Sequence, residues 1–124
     1  MNLVDTSGWL EYFTDGKNAK LFAPAIENTS KLLVSVINLY EVYKKVATSK
    51  NESEAKYAVG LMMQTKIVEL DSSISILAAR LSIETKIPMV DSLIYISARS
   101  NNAVVWTQDY DFKNLEGVKF IKPG

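Results

Sequence analysis

Cysteine and histidine are both absent from the 124 residues of this chain. Without cysteine the protein has no disulfide framework, no thiolate nucleophile and no zinc site built on thiolates. Without histidine it has no Ser-His-Asp triad, no imidazole general base and no imidazole metal ligand. Any chemistry that the chain performs must therefore use carboxylates, hydroxyls, amines or a metal ion held by oxygen ligands.

An excess of charge of either sign is absent as well. Lysine and arginine together number 14, aspartate and glutamate also number 14, and the pI is about 6.3. The chain therefore has no overall basic field that attracts nucleic acid, although a local basic patch is compatible with this balance. No apolar run approaches the roughly 18–20 residues of a membrane span, and no leader-like segment opens the sequence. We expect a cytoplasmic protein that does not bind membranes.

The length and the hydrophobic content of 48% favour one domain over residues 1–124. Short aliphatic runs predict strands at Leu3–Val4, Leu32–Val36, Ile67–Leu70, Val104–Thr107 and Lys119–Ile121. Amphipathic segments predict helices at Ser7–Thr14, Ala19–Glu27, Leu39–Thr48, Glu52–Gln64, Ile74–Thr85 and Ser92–Ser100. The alternation predicts a three-layer α/β/α domain with a central parallel sheet of four to five strands, into which helical hairpins are inserted.

Four acidic residues lie near strand ends or at the start of the following helix: Asp5, Glu41, Asp91 and Asp109. Because the carboxyl ends of parallel strands share one edge of the sheet, we expect these side chains to converge on one cleft. Carboxylates about 4–6 Å apart would raise one another's pKa values, and a divalent cation would relieve that repulsion. Oxygen ligands without histidine or cysteine favour Mg²⁺ or Mn²⁺ over zinc.

A structural interpretation of each acidic residue stays open beside this one. Asp5 and Asp91 can act as helix N-caps, whose side chains accept the free N–H groups of a first turn. Asn38 and Glu41 have the spacing of a capping box. Asp109 can begin an Asx-turn.

The same acidic residues resemble the motifs of a known family, the PIN domains, and among them the small VapC-like toxin ribonucleases of prokaryotic toxin–antitoxin pairs. The resemblance runs from residue 2 to about residue 121. The matching segments are Leu3-Val4-Asp5-Thr6-Ser7, the helix-borne Glu41, Val90-Asp91-Ser92-Leu93-Ile94 with Ala98, and Thr107-Gln108-Asp109-Tyr110-Asp111-Phe112. This resemblance implies a PIN-like fold and a Mg²⁺- or Mn²⁺-dependent endoribonuclease that hydrolyses RNA phosphodiester bonds.

Carried over position by position, the resemblance implies that Asp5, Glu41, Asp91 and Asp109 form an acidic quartet. Asp5, Asp91 and Asp109 would hold the metal ion, and Glu41 would orient the attacking water or share the metal. Because water is then the nucleophile, the products would carry 5′-phosphate and 3′-hydroxyl ends. Three further residues match supporting positions: Thr6, Thr107 and Asp111. Asp111 is also an alternative to Asp109 as the fourth acid.

The resemblance also implies partners. It predicts an RNA substrate, a cognate antitoxin protein whose C-terminal segment fills the cleft, and a homodimer. Basic candidates for contact with the RNA backbone are Lys44, Lys45, Lys50 and Arg99. Trp9 or Tyr12 would stack on a base if exposed. All six side chains also fit the ordinary interpretation of surface lysines and core aromatic residues.

Three other functions stay open at this stage. A phosphoacceptor receiver domain has a similar length and uses carboxylates with Mg²⁺, but it places a pair of acids after its first strand, where this chain has only Asp5. An Asp-nucleophile phosphatase would use an Asp-x-Asp motif such as Asp109-Tyr110-Asp111, but this copy lies near the wrong end of the chain. A non-catalytic PIN scaffold is the third, since one fold hosts several roles.

Overall fold

Five aliphatic runs form one parallel sheet in the computed structural model, which describes all 124 residues. The strands are β1 (Asn2–Val4), β2 (Leu32–Ser35), β3 (Lys66–Val68), β4 (Val104–Thr107) and β5 (Val118–Phe120). Every neighbouring pair is parallel, and the spatial order is β3-β2-β1-β4-β5. The predicted central parallel sheet is confirmed, with five strands.

Six α-helices connect these strands: α1 (Thr6–Phe13), α2 (Ala19–Ile26), α3 (Val36–Ser49), α4 (Glu52–Met62), α5 (Ser72–Thr85) and α6 (Met89–Arg99). Short 3-10 helices lie at Thr29–Lys31 and Tyr110–Phe112. Each predicted helix is present, with ends that differ by up to three residues. The pairs α1–α2 and α3–α4 pack against each other as the predicted hairpins.

Helix α3 begins earlier than predicted because Ser35 is its N-cap. The Ser35 hydroxyl accepts the Ile37 N–H at 3.1 Å, and the Asn38 side chain accepts the Ser35 N–H at 3.1 Å. The capping box therefore pairs Ser35 with Asn38, and the predicted box of Asn38 with Glu41 is wrong. Glu41 lies within the second turn of α3, where its carboxylate is free for another role.

Two layers of buried side chains cover the two faces of the sheet. Leu3 and Leu33 belong to one cluster, which includes residues of α5 and α6, whereas Val4 and Val34 belong to the other, which includes residues of α1 to α4. Successive residues of a strand point to opposite faces, so this division is the expected one. The result is the predicted three-layer α/β/α architecture. None of the helices is long and apolar enough to cross a lipid bilayer.

The strand order reverses at β1, which pairs with β2 on one side and with β4 on the other. From β1 the chain proceeds outward through β2 to β3, and it then returns to β4 on the opposite side. Ligands of open α/β sheets bind at such a reversal, outside the carboxyl ends of the strands. In this chain, Asp5 and Thr107 lie at that position, at the ends of β1 and β4.

Candidate active site

Asp5 follows β1 and is almost fully buried, with 4% of its surface exposed. It occupies the N-cap position of α1, but its side chain makes no capping hydrogen bond. Its Oδ2 instead accepts hydrogen bonds from the hydroxyls of Thr107 and Ser7, both at 2.9 Å. The N-cap interpretation therefore does not describe what the Asp5 carboxylate does, which is to join the ends of β1 and β4.

Thr107 extends this connection to the next acidic residue. Its hydroxyl donates to Asp5 and accepts the backbone N–H of Asp109 at 2.9 Å. The Asp109 carboxylate in turn accepts the backbone N–H of Asp111 at 2.9 Å and begins the 3-10 helix Tyr110–Phe112. The predicted Asx-turn is thereby confirmed. One carboxylate oxygen of Asp109, Oδ1, is used in this turn.

Asp91 lies in the first turn of α6, where Pro88 is the N-cap residue. The interpretation of Asp91 as an N-cap is therefore wrong. Asp91, Asp109 and Asp111 each place one carboxylate oxygen within 4.8 Å of the others. We call these three residues the acidic cluster. The structure thus brings together both candidates for the fourth acid, Asp109 and Asp111.

Burial, with a further contribution from neighbouring negative charge, raises the pKa values of two carboxyl groups at this site. Burial and a hydrogen bond with Asp111 raise the pKa of Asp91 to about 8, and repulsion by Asp109, Asp5 and Asp111 adds to this shift. Burial also raises the pKa of Asp5 to about 6, against the opposing effect of hydrogen bonds from Thr107, Ser7 and the Thr6 backbone. Repulsion by Asp109 contributes to this second shift. Asp5 therefore lies in the field of the acidic cluster, although it is outside the 4.8 Å group.

The charges that act on Asp91 and Asp5 are all negative, and no lysine or arginine lowers either pKa. Several carboxylates in a partly buried cleft without a basic partner need a cation to become ionised together. Carboxylate and hydroxyl oxygens are the donors present, and these suit hard divalent ions such as Mg²⁺ or Mn²⁺. The residues at this site therefore fit a divalent metal ion.

Glu41 lies outside the acidic cluster and is connected to Asp5 through Thr6, the next residue in the chain. The Thr6 hydroxyl donates to the Glu41 carboxylate at 2.6 Å. The same hydroxyl accepts a hydrogen bond from the Asn38 amide at 3.1 Å. Asn38 is fully buried, and its amide oxygen accepts the Ser35 N–H. Asn38 therefore holds the Thr6 hydroxyl in the orientation that donates to Glu41.

The sequence did not identify Ser7 and Asn38 as site residues. Ser7 belongs to the matching segment at the end of β1, and besides its bond to Asp5 it accepts the Gln108 N–H at 3.2 Å. Its position directly after Asp5 and Thr6 was a usable signal. Asn38 offered no such signal, because its contact with Thr6 joins residues 32 positions apart.

A cleft of about 420 Å³ opens beside the end of β1 and is lined by Ser7 and Gln108 together with residues of α1, α3 and α4. We call it the α1–α4 cleft. Lys45 and Lys50 also line it, so two of the predicted RNA-contact residues lie in the same cleft as Ser7. Its apolar part is formed by Leu10, Phe13, Val46, Tyr57 and Ala58.

The other predicted RNA-contact residues lie elsewhere. The Lys44 ammonium lies 5.7 Å from the centre of the Tyr40 ring, on a separate groove of α3 and α4. Arg99 is in the last turn of α6, roughly 12 Å along the helix from Asp91. Trp9 is only 2% exposed and cannot stack on a base, so the interpretation of Trp9 as a core aromatic residue is the correct one. Tyr12 is half-buried, and its hydroxyl donates to Glu27 at 2.9 Å.

Comparison with known proteins agrees with this geometry. The family model of the PIN domain matches residues 3–118, which is most of the chain. No curated protein sequence matches the chain.

Several solved structures share the fold. A toxin–antitoxin complex from Klebsiella pneumoniae is 22% identical, with a TM-score of 0.79 and 96% of each chain covered. The VapC20 toxin of Mycobacterium tuberculosis, described as cleaving the sarcin-ricin loop, is 14% identical with a TM-score of 0.79, over 95% of this chain and 97% of that one. VapBC2 from Rickettsia felis, bound to a DNA fragment from its promoter, is 16% identical with a TM-score of 0.75, over 97% and 96%. At these identities the likeness shows the fold.

Proposed function

Because this chain belongs to the PIN domain family, we propose that it is a metal-dependent endoribonuclease and the toxin of a toxin–antitoxin pair. The observation that carries the proposal is the acidic cluster of Asp91, Asp109 and Asp111, which lies in the field of the buried Asp5 and has no basic partner. Membership of the family also removes the receiver domain and the Asp-nucleophile phosphatase from consideration. A non-catalytic scaffold would have no need for so much uncompensated negative charge at the reversal of strand order.

We assign the metal ligands to Asp91, Asp109 and Asp5, with Asp111 as a further ligand from the same turn. When bound, a divalent cation lowers the pKa of water and neutralises charge on the phosphate. Thr107 and Ser7 hold the Asp5 carboxylate in one orientation through their hydroxyls. These bonds also favour the ionised form of Asp5 over the protonated one.

Glu41 has a different role in this proposal, because it lies outside the acidic cluster. Thr6 holds its carboxylate from one side through a 2.6 Å hydrogen bond. The other carboxylate oxygen is then free to accept a proton from the attacking water and to orient it toward the phosphorus atom. Hydrolysis by water needs no ribose 2′-hydroxyl, so we expect 5′-phosphate and 3′-hydroxyl products.

The structural relatives support the choice of RNA and of an antitoxin partner. One is described as a toxin that cleaves the sarcin-ricin loop, and others are described as toxin–antitoxin complexes. The α1–α4 cleft has apolar walls next to the end of β1, which suits an antitoxin segment that carries apolar side chains and a basic one directed at the carboxylates. We further propose that the protein is a homodimer and acts in the cytoplasm.

The proposed activity is tested by incubating RNA with the wild-type protein, Asp91→Asn and Glu84→Gln, in Mg²⁺, in Mn²⁺ and in EDTA. Glu84 is an exposed acidic residue on α5 and is the matched control for removal of one carboxylate charge. We expect the wild type and Glu84→Gln to cleave RNA with either metal ion, leaving 5′-phosphate ends, and Asp91→Asn to be inactive. Cleavage by folded Asp91→Asn at the wild-type rate, or cleavage that persists in EDTA, would contradict the proposal.

A further inference from the structure

A pair of aromatic rings, one exposed and one half-buried, lies at the edge of the sheet next to the acidic cluster. The centroids of the Tyr110 and Phe120 rings are 5.0 Å apart, and the ring planes are tilted by 50°. The Lys113 ammonium lies 5.8 Å from the centre of the Tyr110 ring and 5.6 Å from that of Phe120. Tyr110 is 57% exposed. We call these three residues the aromatic platform.

The chain itself fixes the platform beside the cluster. Tyr110 lies between Asp109 and Asp111, two of the three carboxylates that come within 4.8 Å of one another. Phe120 is paired in register with Thr107, whose hydroxyl donates to Asp5. The Tyr110 ring is therefore adjacent in sequence to two residues assigned to the metal. The Phe120 ring lies on the strand next to Thr107, which donates to the third, Asp5.

The turn that carries Tyr110 is held by a hydrogen bond and by a buried neighbouring side chain. The Asp109 side chain accepts the Asp111 N–H, and the next side chain, Phe112, is fully buried in the core. Tyr110 itself adds little to that core, because more than half of its surface is in contact with solvent. The structure thus presents a large aromatic ring to solvent on an ordered turn, next to the site of reaction.

An aromatic face with a nearby ammonium group has the chemistry of a nucleotide-binding site. Unpaired bases stack on tyrosine and phenylalanine rings, and this contact tolerates any sequence because every base has such a face. A lysine beside the ring adds attraction to the phosphate backbone. Paired bases are already stacked inside a duplex and offer no free face to such a ring.

We propose that the aromatic platform binds an unpaired RNA base that adjoins the phosphate at the acidic cluster. The base stacks on the exposed face of Tyr110, and Lys113 contacts its backbone. This inference rests on the proposed endoribonuclease function and adds to it a residue, Tyr110, that binds the RNA beside the site of cleavage. It also supplies a binding contact that the acidic cluster cannot make with a base.

The first test measures binding of a short, unstructured, fluorescently labelled RNA by anisotropy. The Asp91→Asn protein serves as background, so that the RNA stays intact. Adding Tyr110→Ala is expected to weaken binding roughly ten- to a hundred-fold, whereas Tyr110→Phe keeps the ring and retains the affinity. Lys113→Gln is expected to weaken binding less and to reduce its dependence on salt.

Two matched controls separate the platform from other surface residues. Tyr40 is similarly exposed and also has a lysine over its ring, but it lies on α3. Lys119 lies 4.0 Å from the centre of the Trp106 ring, on the opposite face of β5 from Phe120. Tyr40→Ala and Lys119→Gln should bind the RNA as the parent does. An equal loss in Tyr40→Ala and Tyr110→Ala, or an equal loss of duplex and single-stranded RNA binding in Tyr110→Ala, would overturn the inference.

The second test locates the base by replacing single nucleotides of the RNA with abasic ones and measuring cleavage by proteins with intact carboxylates. Wild-type cleavage should fall when the nucleotide adjoining the cleaved bond is abasic, and Tyr110→Ala should be insensitive to that change. Cleavage by Tyr110→Ala at the wild-type rate would overturn the stacking site and leave the nuclease proposal intact. RNA binding that depends on Tyr110, with no cleavage by the wild type, would support the stacking site and contradict the nuclease proposal.

Discussion

At the scale of single residues, the raised pKa values of Asp91 and Asp5 have a consequence for stability. A carboxyl group whose pKa is raised on folding binds its proton more tightly in the folded state than in the unfolded state. Its stabilising effect is complete below the ordinary pKa of 3.8 and is lost as the pH rises through about 6 for Asp5 and about 8 for Asp91. The metal-free protein should therefore become less stable from weakly acidic to weakly basic pH.

This dependence is measurable by thermal unfolding in EDTA between about pH 5 and pH 8. The Tm of the wild type should fall across this interval, and Asp91→Asn should have a flatter profile and a higher Tm at the upper end. When Mg²⁺ replaces EDTA, the wild-type Tm at the upper end of this pH interval should rise, because the ion binds only the folded protein. The Tm of Asp91→Asn should stay nearly unchanged. A lower Tm for Asp91→Asn than for the wild type in EDTA at the upper end would contradict destabilisation by the buried, crowded Asp91 carboxylate.

A second residue-scale prediction concerns Asn38, whose amide orients the hydroxyl of Thr6 toward Glu41. Asn38→Leu leaves the buried Ser35 N–H without its acceptor, at a cost of about 1–3 kcal/mol in the free energy of unfolding. Thr6→Val replaces the hydroxyl with a methyl group and also removes the acceptor of the Asn38 amide, whereas Thr6→Ser retains the hydroxyl. We expect Thr6→Val to lower the rate of RNA cleavage about 10–100-fold, by analogy with other residues that orient a site carboxylate.

The comparison is made on kcat at saturating RNA, at a temperature where all variants are folded. Thr6→Ser should keep most of the activity, because it keeps the donor to Glu41. Equal losses in Thr6→Ser and Thr6→Val would mean that the threonine methyl group, and not the hydrogen bond, matters at this position.

The sequence located the principal carboxylates but only part of what holds them. Asp5, Asp91 and Asp109 could be found because each adjoins a predicted strand or helix start. The capping box was misassigned because Ser35 and Asn38 have the same spacing as Asn38 and Glu41, and only the structure shows which pair forms. The helical spacing of Trp9 fitted a core aromatic residue as well as one that contacts RNA, and the structure places Trp9 in the core.

At the scale of secondary structure elements, the close packing of α1 depends on Gly8. A Cβ atom at this position would lie 2.6 Å from the Phe22 ring and 2.6 Å from the Val4 side chain. Gly60, in the exposed part of α4, provides the matched control because, apart from its chain neighbours and the backbone of its own helix, nothing lies within 4 Å of its added Cβ. Both glycines are helical, so intrinsic helix propensity acts on them in the same direction.

We expect Gly8→Ala to lower the free energy of unfolding by about 1–3 kcal/mol through overpacking. Gly60→Ala should raise it by roughly 0.5–1 kcal/mol, because alanine is the better helix former. Urea unfolding of the two variants measures both effects. Stabilisation by both substitutions would show that α1 can shift away from β1 at little cost.

The existence of every strand and α-helix was predictable from aliphatic runs and helical periodicity, whereas their ends and the two short 3-10 helices were not. Helix α6 begins at Met89, before the predicted start at Ser92, because Pro88 supplies its N-cap. Asp91 is therefore carried in the first turn of a helix and not before it.

At the scale of the whole molecule, the strand order is what assembles the site. Placing β1 between β2 and β4 brings Asp5 next to Thr107, a residue 102 positions away. The local sequence does not indicate the order of the strands in the sheet. The convergence of the acidic residues could therefore be predicted only from the general properties of a parallel sheet. The zero net charge of the chain likewise averages the acidic cluster with lysines elsewhere on the surface.

The central claim is that Asp91, Asp109 and Asp111, with Asp5, form a divalent metal site. The most direct measurement is a Mn²⁺ titration at neutral pH, followed by electron paramagnetic resonance of the free ion, for the wild type, Asp91→Asn and Glu84→Gln. The wild type and Glu84→Gln should bind Mn²⁺ with the same affinity, and Asp91→Asn should bind it at least about ten-fold more weakly. Equal Mn²⁺ binding by all three proteins, or none by the wild type, would contradict the claim.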